Sequence, residues 1–246
     1  MIQEKFSLAD RLAIVTGGGR GIGRSIALAL AEAGADVVVT ARTTQQIEAV
    51  AGEIRERGRK ALAIAMDVSS LADIHRMVKD TLAKFGHIDI LVNNAAISPY
   101  YTRAEKLSPE MWDDIMAVDL RGFFFCCQAV GKVMIEQKKG SIINMSSVAG
   151  LSGAPRLAAY AAAKAGIIAI TKTLAVEWAQ HNIRVNALAP GWVATEFTRG
   201  MRENPGLMQM MLASQPMGRV AEPDEIAGAA VFLASDAASY VNGSTI

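Results

Sequence analysis

Cysteine is nearly absent: of 246 residues only Cys126 and Cys127 carry a thiol, and being adjacent they cannot staple distant segments. Such usage fits a reducing compartment, and the cytoplasm is the expected location. Both residues read as small buried hydrophobes on a helix. Histidine is equally scarce. His75, His87 and His181 stand apart from one another and from acidic clusters in any ligand spacing, so no metal is expected. An excess of charge of either sign is also missing, since 25 Lys and Arg face 24 Asp and Glu. A formal charge of +1 concentrates no counter-ions around nucleic acid or anionic lipid, so neither is expected as a partner. The start, Met1-Ile2-Gln3-Glu4-Lys5, has no apolar leader core. Uninterrupted apolar runs such as Phe123 to Cys127 fall far short of the ~20 residues of a membrane span, so neither secretion nor insertion is expected. No linker, internal repeat or low-complexity tract divides the chain, and residues 1–246 are expected to form one domain.

What is present is apolar: 51% of residues are hydrophobic and 20% charged, ample for a folded core. Short β-branched runs alternate with longer alanine-rich segments of helical period, the pattern of βαβ units on a parallel sheet. Strands are expected at Leu12–Thr16, Val37–Thr40, Ala61–Met66, Ile90–Asn93, Ser141–Met145 and Arg184–Leu188. Their continuous hydrophobicity suits strands covered on both faces. Helices are expected near Ile22–Ala33, Thr44–Glu56, Leu71–Phe85, Pro109–Glu136 and Ala158–Ala179, with a last one through Ala234. Ser108-Pro109-Glu110 and Glu222-Pro223-Asp224-Glu225 supply start signals. The fold class is α/β: a doubly wound parallel sheet of Rossmann type, strand order 3-2-1-4-5-6, with a seventh edge strand. Residues 190–220, rich in Gly, Pro and Met, are weakly periodic and read as a lid.

After the first strand stands Thr16-Gly17-Gly18-Gly19-Arg20-Gly21-Ile22-Gly23, followed at once by a helix. Glycines there allow a tight turn and let a pyrophosphate reach the helix N-terminus, whose N–H groups and dipole favour an anion. The spacing is not the G-x-G-x-x-G of the common dinucleotide fingerprint. A phosphate loop of the NTPase kind is a near miss, with Gly18, Gly23 and Ser25 in place but Arg24 where a lysine belongs. The second strand ends Thr40-Ala41-Arg42-Thr43-Thr44, with no acidic residue before Glu48 to hold a free ribose 2′-OH. Arg42 and Arg20 could instead converge on a 2′-phosphate, which makes NADP the expected cofactor. Further on, Tyr160 and Lys164 lie four apart, on one helix face and about 6 Å apart along its axis. An ammonium beside a phenol is expected to lower its pKa and ready it for proton transfer.

These residues, with Asp67-Val68, Asn93-Asn94-Ala95-Ala96, Ser147 and Pro190-Gly191-Trp192-Val193-x-Thr195, resemble the short-chain dehydrogenase/reductase family from about Leu8 onward. Within that family the resemblance is strongest to 3-oxoacyl carrier-protein reductases and to sugar and polyol dehydrogenases. It implies that Ser147 binds the substrate oxygen, that Tyr160 is the general acid or base, and that Lys164 tunes the tyrosine and holds the nicotinamide ribose. Gly17, Arg20, Gly21, Ile22, Gly23 and Arg42, read above from the turn and the second strand, are the candidates for the pyrophosphate and 2′-phosphate side. The resemblance further implies that Asp67 and Val68 flank adenine, Asn94 and Ala95 the ribose side, and Pro190, Gly191, Val193 and Thr195 the nicotinamide end. Two positions depart from the family. Asp119, a fourth candidate catalytic residue, stands where asparagine is common. That asparagine helps hold a water leading to the lysine largely through its main-chain carbonyl, so an aspartate could serve or could alter the proton relay. Ala96 replaces a glycine. In relatives a last strand and tail follow the residues matching Gly243-Ser244-Thr245-Ile246. The function implied is interconversion of a ketone and a secondary alcohol, on a 3-oxoacyl thioester or similar apolar carbonyl, by a homotetramer assembled through the two long helices. A sugar or polyol dehydrogenase and a catalytically silent dinucleotide-binding protein are the alternatives. The methionines of the lid, Met201, Met208, Met210, Met211 and Met217, favour an apolar substrate unless they pack inward. Tyr100 and Tyr101 could contact substrate. Lys132, Lys138 and Lys139 could dock an acidic carrier or simply complement a helix dipole.

Overall fold

The structure, a computed structural model, describes residues 1–98 and 100–246. Six strands form one parallel sheet: β1 (Leu12–Thr16), β2 (Asp36–Ala41), β3 (Ala61–Ala65), β4 (Ile90–Asn93), β5 (Gly140–Met145) and β6 (Ile183–Leu188). Their order is β3-β2-β1-β4-β5-β6, as the sequence pattern predicts. Because strand side chains alternate between faces, Ala13 and Val15 of β1 join one core while Leu12 and Ile14 join the other. The first core takes α1 (Gly21–Glu32), α2 (Thr44–Glu56) and α9 (Asp224–Ala234). The second takes α3 (Leu71–Phe85), α5 (Phe123–Gln137) and α6 (Ala158–Trp178). Val37, Val38 and Val39 are 0% exposed in sequence, which is why β2 reads as an unbroken apolar run. Each such side chain contributes roughly 1.5–3 kcal/mol by leaving water.

Chain order reverses direction between β1 and β4, so the loops leaving these two neighbouring strands diverge and open a crevice at their C-terminal ends. The crevice is shaped by Asn94. Its Nδ2 donates to the carbonyls of Thr16 (3.0 Å) and Gly17 (3.1 Å), while Thr16 Oγ1 accepts from the N–H groups of Asn94 and Ala95. The ends of β1 and β4 are thereby locked together.

Several expectations are corrected. The helix expected over Pro109–Glu136 is interrupted: α4 (Pro109–Met116) passes into a π-helical turn, Ala117–Gly122, before α5 begins. Ser108 caps α4, accepting from the N–H of Met111, with Pro109 in its first turn, as expected. The stretch 190–220 is not structureless. It contains α7 (Arg199–Arg202) and α8 (Pro205–Ala213), the latter capped by Asn204 with Pro205 in its first turn. No seventh strand is assigned among the described residues. Instead Thr245 makes a single parallel bridge to Ala187; the N–H groups of Gly243 and Ile246 donate to the carbonyls of Val185 and Ala187, and the carbonyls of Ser244 and Ile246 accept from the N–H groups of Ala187 and Ala189. Finally, Ala158–His181 is long and apolar enough to cross a membrane by length and composition, which a count of uninterrupted runs did not expose. In this fold that helix packs on β6 and β5, with Leu174 and Ala175 in the core.

Candidate active site

A cavity of about 1050 Å³ occupies the crevice. Ser147, Tyr160, Lys164 and every candidate cofactor-binding residue line it, whereas the fourth candidate catalytic residue, Asp119, does not and is 0% exposed. At one end is the glycine turn. Gly17 has φ +64°, and a Cβ there would come within 2.8 Å of Ala95 Cα. At Gly23 a Cβ would stand 2.3 Å from the Gly17 carbonyl oxygen, so the turn and helix can close on each other only without side chains. No side chain caps the first turn of α1, and Gly21, Ile22 and Gly23 of that turn line the cavity. Unfilled N–H groups at a helix N-terminus, in a cradle that glycine keeps open, suit the pyrophosphate of a dinucleotide.

Arg20 and Arg42 are both exposed side chains on the wall of this end. Arg24 is turned elsewhere. Its Nε donates to Glu53 of α2 at 3.1 Å and its Nη2 makes a second contact with the same carboxylate, so the phosphate-loop alternative has no cation in the lysine position. Asp67 and Val68 line the cavity, but Asp67 Oδ1 already accepts from the N–H (2.8 Å) and hydroxyl (2.7 Å) of Ser69. The Asn94 amide is likewise spent on the glycine turn, so what Asn94 offers a ligand is the shape of the turn rather than a free donor.

Ser147, Tyr160 and Lys164 meet at the other end. Ser147 sits just past β5 in extended backbone, its Oγ accepting from the Ala149 N–H. Neighbouring Ser146 uses its hydroxyl on the Lys164 carbonyl at 2.8 Å, as strand alternation separates the two serines. Lys164 is 1% exposed; its Nζ donates to the Met145 carbonyl at 3.2 Å and lies 4.8 Å from the Phe123 ring centroid and 5.4 Å from that of Tyr160. The net shift of the Tyr160 phenol is upward rather than downward. Burial pushes the phenol above its usual value, the negative charge of Asp119 pushes it further, and only the interaction with Ser147 pulls it down. Burial pulls the Lys164 ammonium down, and Asp119 opposes that. Asp119 is itself pushed up by burial and drawn back by Lys164 and by the Ile97 N–H, which donates to Oδ1 at 2.8 Å.

The segment after β6 walls the same end. Pro190, Gly191, Val193 and Thr195 line the cavity, and a Cβ on Gly21 would come within 3.2 Å of the Thr195 methyl. Phe197 packs against Tyr160 with ring centroids 6.0 Å apart. Met201, Met210 and Met211 face the cavity, whereas Met208 and Met217 do not line it. The polar groups nearby are largely occupied. Thr198 Oγ1 donates to the Val193 carbonyl (2.7 Å), Arg199 pairs with Glu196 (2.8 Å), and Arg202 donates to the Thr195 carbonyl (3.0 Å). Of the two tyrosines after β4, Tyr101 lines the cavity and Tyr100 donates to Asp114 instead. Trp192 of the motif also lines it, as do Ser214 and Gln215, to which no sequence pattern points. Gln215 packs close on Gly191, where a Cβ would collide with Gln215 Oε1 at 2.6 Å.

Comparison with known proteins agrees with this geometry. The sequence model of the family described as "Enoyl-(Acyl carrier protein) reductase" matches residues 17–246. A 3-oxoacyl-[acyl-carrier-protein] reductase of Synechocystis is 43% identical over 241 residues, 97% of this chain and 95% of that protein. A short chain dehydrogenase/reductase of Aspergillus oryzae, astE, is 45% identical over 248 residues, 99% of this chain and 95% of that protein. Among solved structures, a gluconate 5-dehydrogenase from Burkholderia cenocepacia in complex with NADP and tartrate superposes with a TM-score of 0.96 at 37% identity, covering 100% of this chain and 96% of that one. With relatives this similar along nearly its whole length, the chain belongs to the short-chain dehydrogenase/reductase family of oxidoreductases that use a dinucleotide cofactor.

Proposed function

We propose that the protein is an NADP(H)-dependent oxidoreductase that interconverts a ketone and a secondary alcohol, with a 3-oxoacyl thioester or similar apolar carbonyl as substrate. The observation that carries this reading is one cavity with Ser147, Tyr160 and Lys164 at one end and two exposed guanidiniums, Arg20 and Arg42, at the other. The glycine turn and the first turn of α1 would hold the pyrophosphate, and Arg20 with Arg42 the 2′-phosphate. The bound dinucleotide supplies or accepts the hydride. In reduction the Ser147 hydroxyl donates to the carbonyl oxygen and orients it, and the Tyr160 phenol delivers the proton to that oxygen as negative charge develops. A phenol held above its usual pKa keeps its proton at neutral pH, which suits the acid role. Residues 190–220 act as the lid, closing over the substrate with Phe197 against Tyr160.

The apolar substrate rests on the same wall. Thr198, Arg199 and Arg202 are engaged within the segment itself, while Met201, Met210, Met211 and Leu207 face the cavity. A sugar acid, favoured by the likeness to a gluconate dehydrogenase, is the second reading. Its hydroxyls would have to be met by polar lining residues such as Tyr101, Ser152, Ser214 and Gln215, and each one left unmatched costs roughly 1–3 kcal/mol. Side-by-side kcat/KM values for NADPH oxidation with a 3-oxoacyl thioester and a keto-sugar acid decide between them: the thioester is expected to be preferred, and a tenfold advantage for the sugar acid overturns the assignment. A homotetramer built through α5 and α6 completes the proposal. The exposed face of α6 carries Ala162, Ala165, Ala169 and Val176, the last 80% exposed, a surface another copy could approach closely. Phe124 and Phe125 are partly exposed on α5, whereas Phe123 turns inward beneath Lys164 and belongs to the core.

A further inference from the structure

Asp119 is the one candidate catalytic residue that does not line the cavity, and its surroundings set it a definite task. It lies in the π-helical turn Ala117–Gly122, which departs from α-helical geometry between two regular helices. Gly122 lets that turn press against the Val68 backbone, where a Cβ would stand 2.7 Å from the Val68 carbonyl oxygen. So placed, Asp119 is 0% exposed; Oδ1 is fixed by the Ile97 N–H at 2.8 Å, and Oδ2 has no aligned hydrogen bond but stands 3.4 Å from Lys164 Nζ. A carboxyl and an amine 3.4 Å apart and both out of water, the amine 5.4 Å from the Tyr160 ring centroid, act on that phenol through their charges as a unit.

We propose that Asp119 is a positioning residue: as the buried counter-ion of Lys164 it cancels the charge beside Tyr160 and sets the site toward delivering a proton to a carbonyl rather than removing one from an alcohol. This rests on the reading of Tyr160 as the proton-transfer residue. Alone, the Lys164 ammonium would favour phenolate. Paired with Asp119 it contributes no net charge, whichever of the two holds the shared proton. Three groups that titrate or hydrogen-bond face the phenol: Lys164 from its own helix, Asp119 from the π-helical turn and the Ser147 hydroxyl from the end of β5. From the lid Tyr160 meets the uncharged ring of Phe197. The direction of the phenol shift, upward by burial and then by Asp119, agrees with this accounting.

The test reads tyrosinate absorbance against pH in the cofactor-free protein, so it depends on neither substrate nor turnover. The difference between wild type and Tyr160→Phe isolates Tyr160 among the four tyrosines. The same difference is then taken in an Asp119→Asn background, which keeps an oxygen for the Ile97 N–H and makes the site one charge more positive. Tyr160 is expected to ionise at least about one pH unit lower in the Asp119→Asn protein. An unchanged midpoint overturns the proposal, and so does a wild-type Tyr160 that ionises at or below the ordinary value of about 10. If Asp119→Asn does not fold, Asp119→Ser makes the same removal of charge, and the wild-type titration stands by itself. In turnover, the pH at which oxidation of a 3-hydroxyacyl thioester reaches half its maximal kcat/KM should fall with the phenol. A merely structural role would lower the amplitude and leave that pH in place. Wild-type turnover by Tyr160→Phe would instead overturn the proposed function while leaving the titration result intact.

Discussion

Replacing Arg42 by aspartate tests the proposed cofactor most sharply, because among the described residues Arg20 and Arg42 are the two arginines that line the cavity, where the proposal puts the 2′-phosphate. A hydrogen bond to a charged group contributes about 1.5–3 kcal/mol, and Arg42 is exposed, so the lower figure applies. A carboxylate in its place adds repulsion of about 1 kcal/mol per unit charge at 4 Å in water. The two effects together are about 2.5 kcal/mol, or roughly 70-fold in the Kd for NADPH. NADH has no 2′-phosphate to lose, and the new carboxylate can accept from its free 2′-OH, so its Kd should hold steady or improve. The measurement is a fluorescence titration of both cofactors into wild type and Arg42→Asp at fixed ionic strength, since screening shrinks the repulsive part. The reasoning fails if wild type binds the two cofactors equally, or if Arg42→Asp leaves NADPH binding within a fewfold of wild type.

Two further outcomes follow from the packing. Gly23→Ala would drive a methyl to 2.3 Å from the Gly17 carbonyl oxygen, an overpacking that costs typically 1–3 kcal/mol; a lowered Tm and loss of cofactor binding are expected, and binding at wild-type strength would show that the turn has room. Glu225 is held down to about 2, first by the bidentate Arg219 guanidinium and then by the Glu222 N–H. A carboxyl whose folded pKa is depressed stabilises the fold above its unfolded value near 4.5 and loses that contribution as pH falls toward 2. Glu225→Gln should therefore flatten the decline in Tm over that window, and an unchanged acid limb would show that the pair contributes nothing there.

How much of this could be read from the sequence depended on how local the cause was. β1, β4, α2 and α3 end where their residues say they should, because continuous apolar runs and the N-cap at Ser70 are signals carried by neighbours in sequence. The π-helical turn was not legible: Ala117–Gly122 has the composition of ordinary helix, and only packing against Val68 and Lys164 distinguishes it. Helix α8 could have been read, for Asn204-Pro205 repeats the cap-and-proline signal of Ser108-Pro109. It was obscured by the glycines and prolines around it. The spacing of Tyr160 and Lys164 puts them on one helix face, but such pairs are common, and the roles of the two with Ser147 rest on a resemblance; the structure adds that all three share a cavity. The direction of the Tyr160 shift was beyond the sequence, because the burial and the Asp119 carboxylate that produce it come from elements far apart in the chain.

The central claim, that Tyr160 delivers the proton in an NADPH-dependent ketone reduction, is tested most directly by Tyr160→Phe. The variant removes one oxygen and keeps the ring that packs on Phe197. Measured with a 3-oxoacyl thioester, kcat should fall by at least the ~10² typical of losing a general acid, while the Kd for NADPH stays within a fewfold of wild type. Turnover at the wild-type rate would contradict the account.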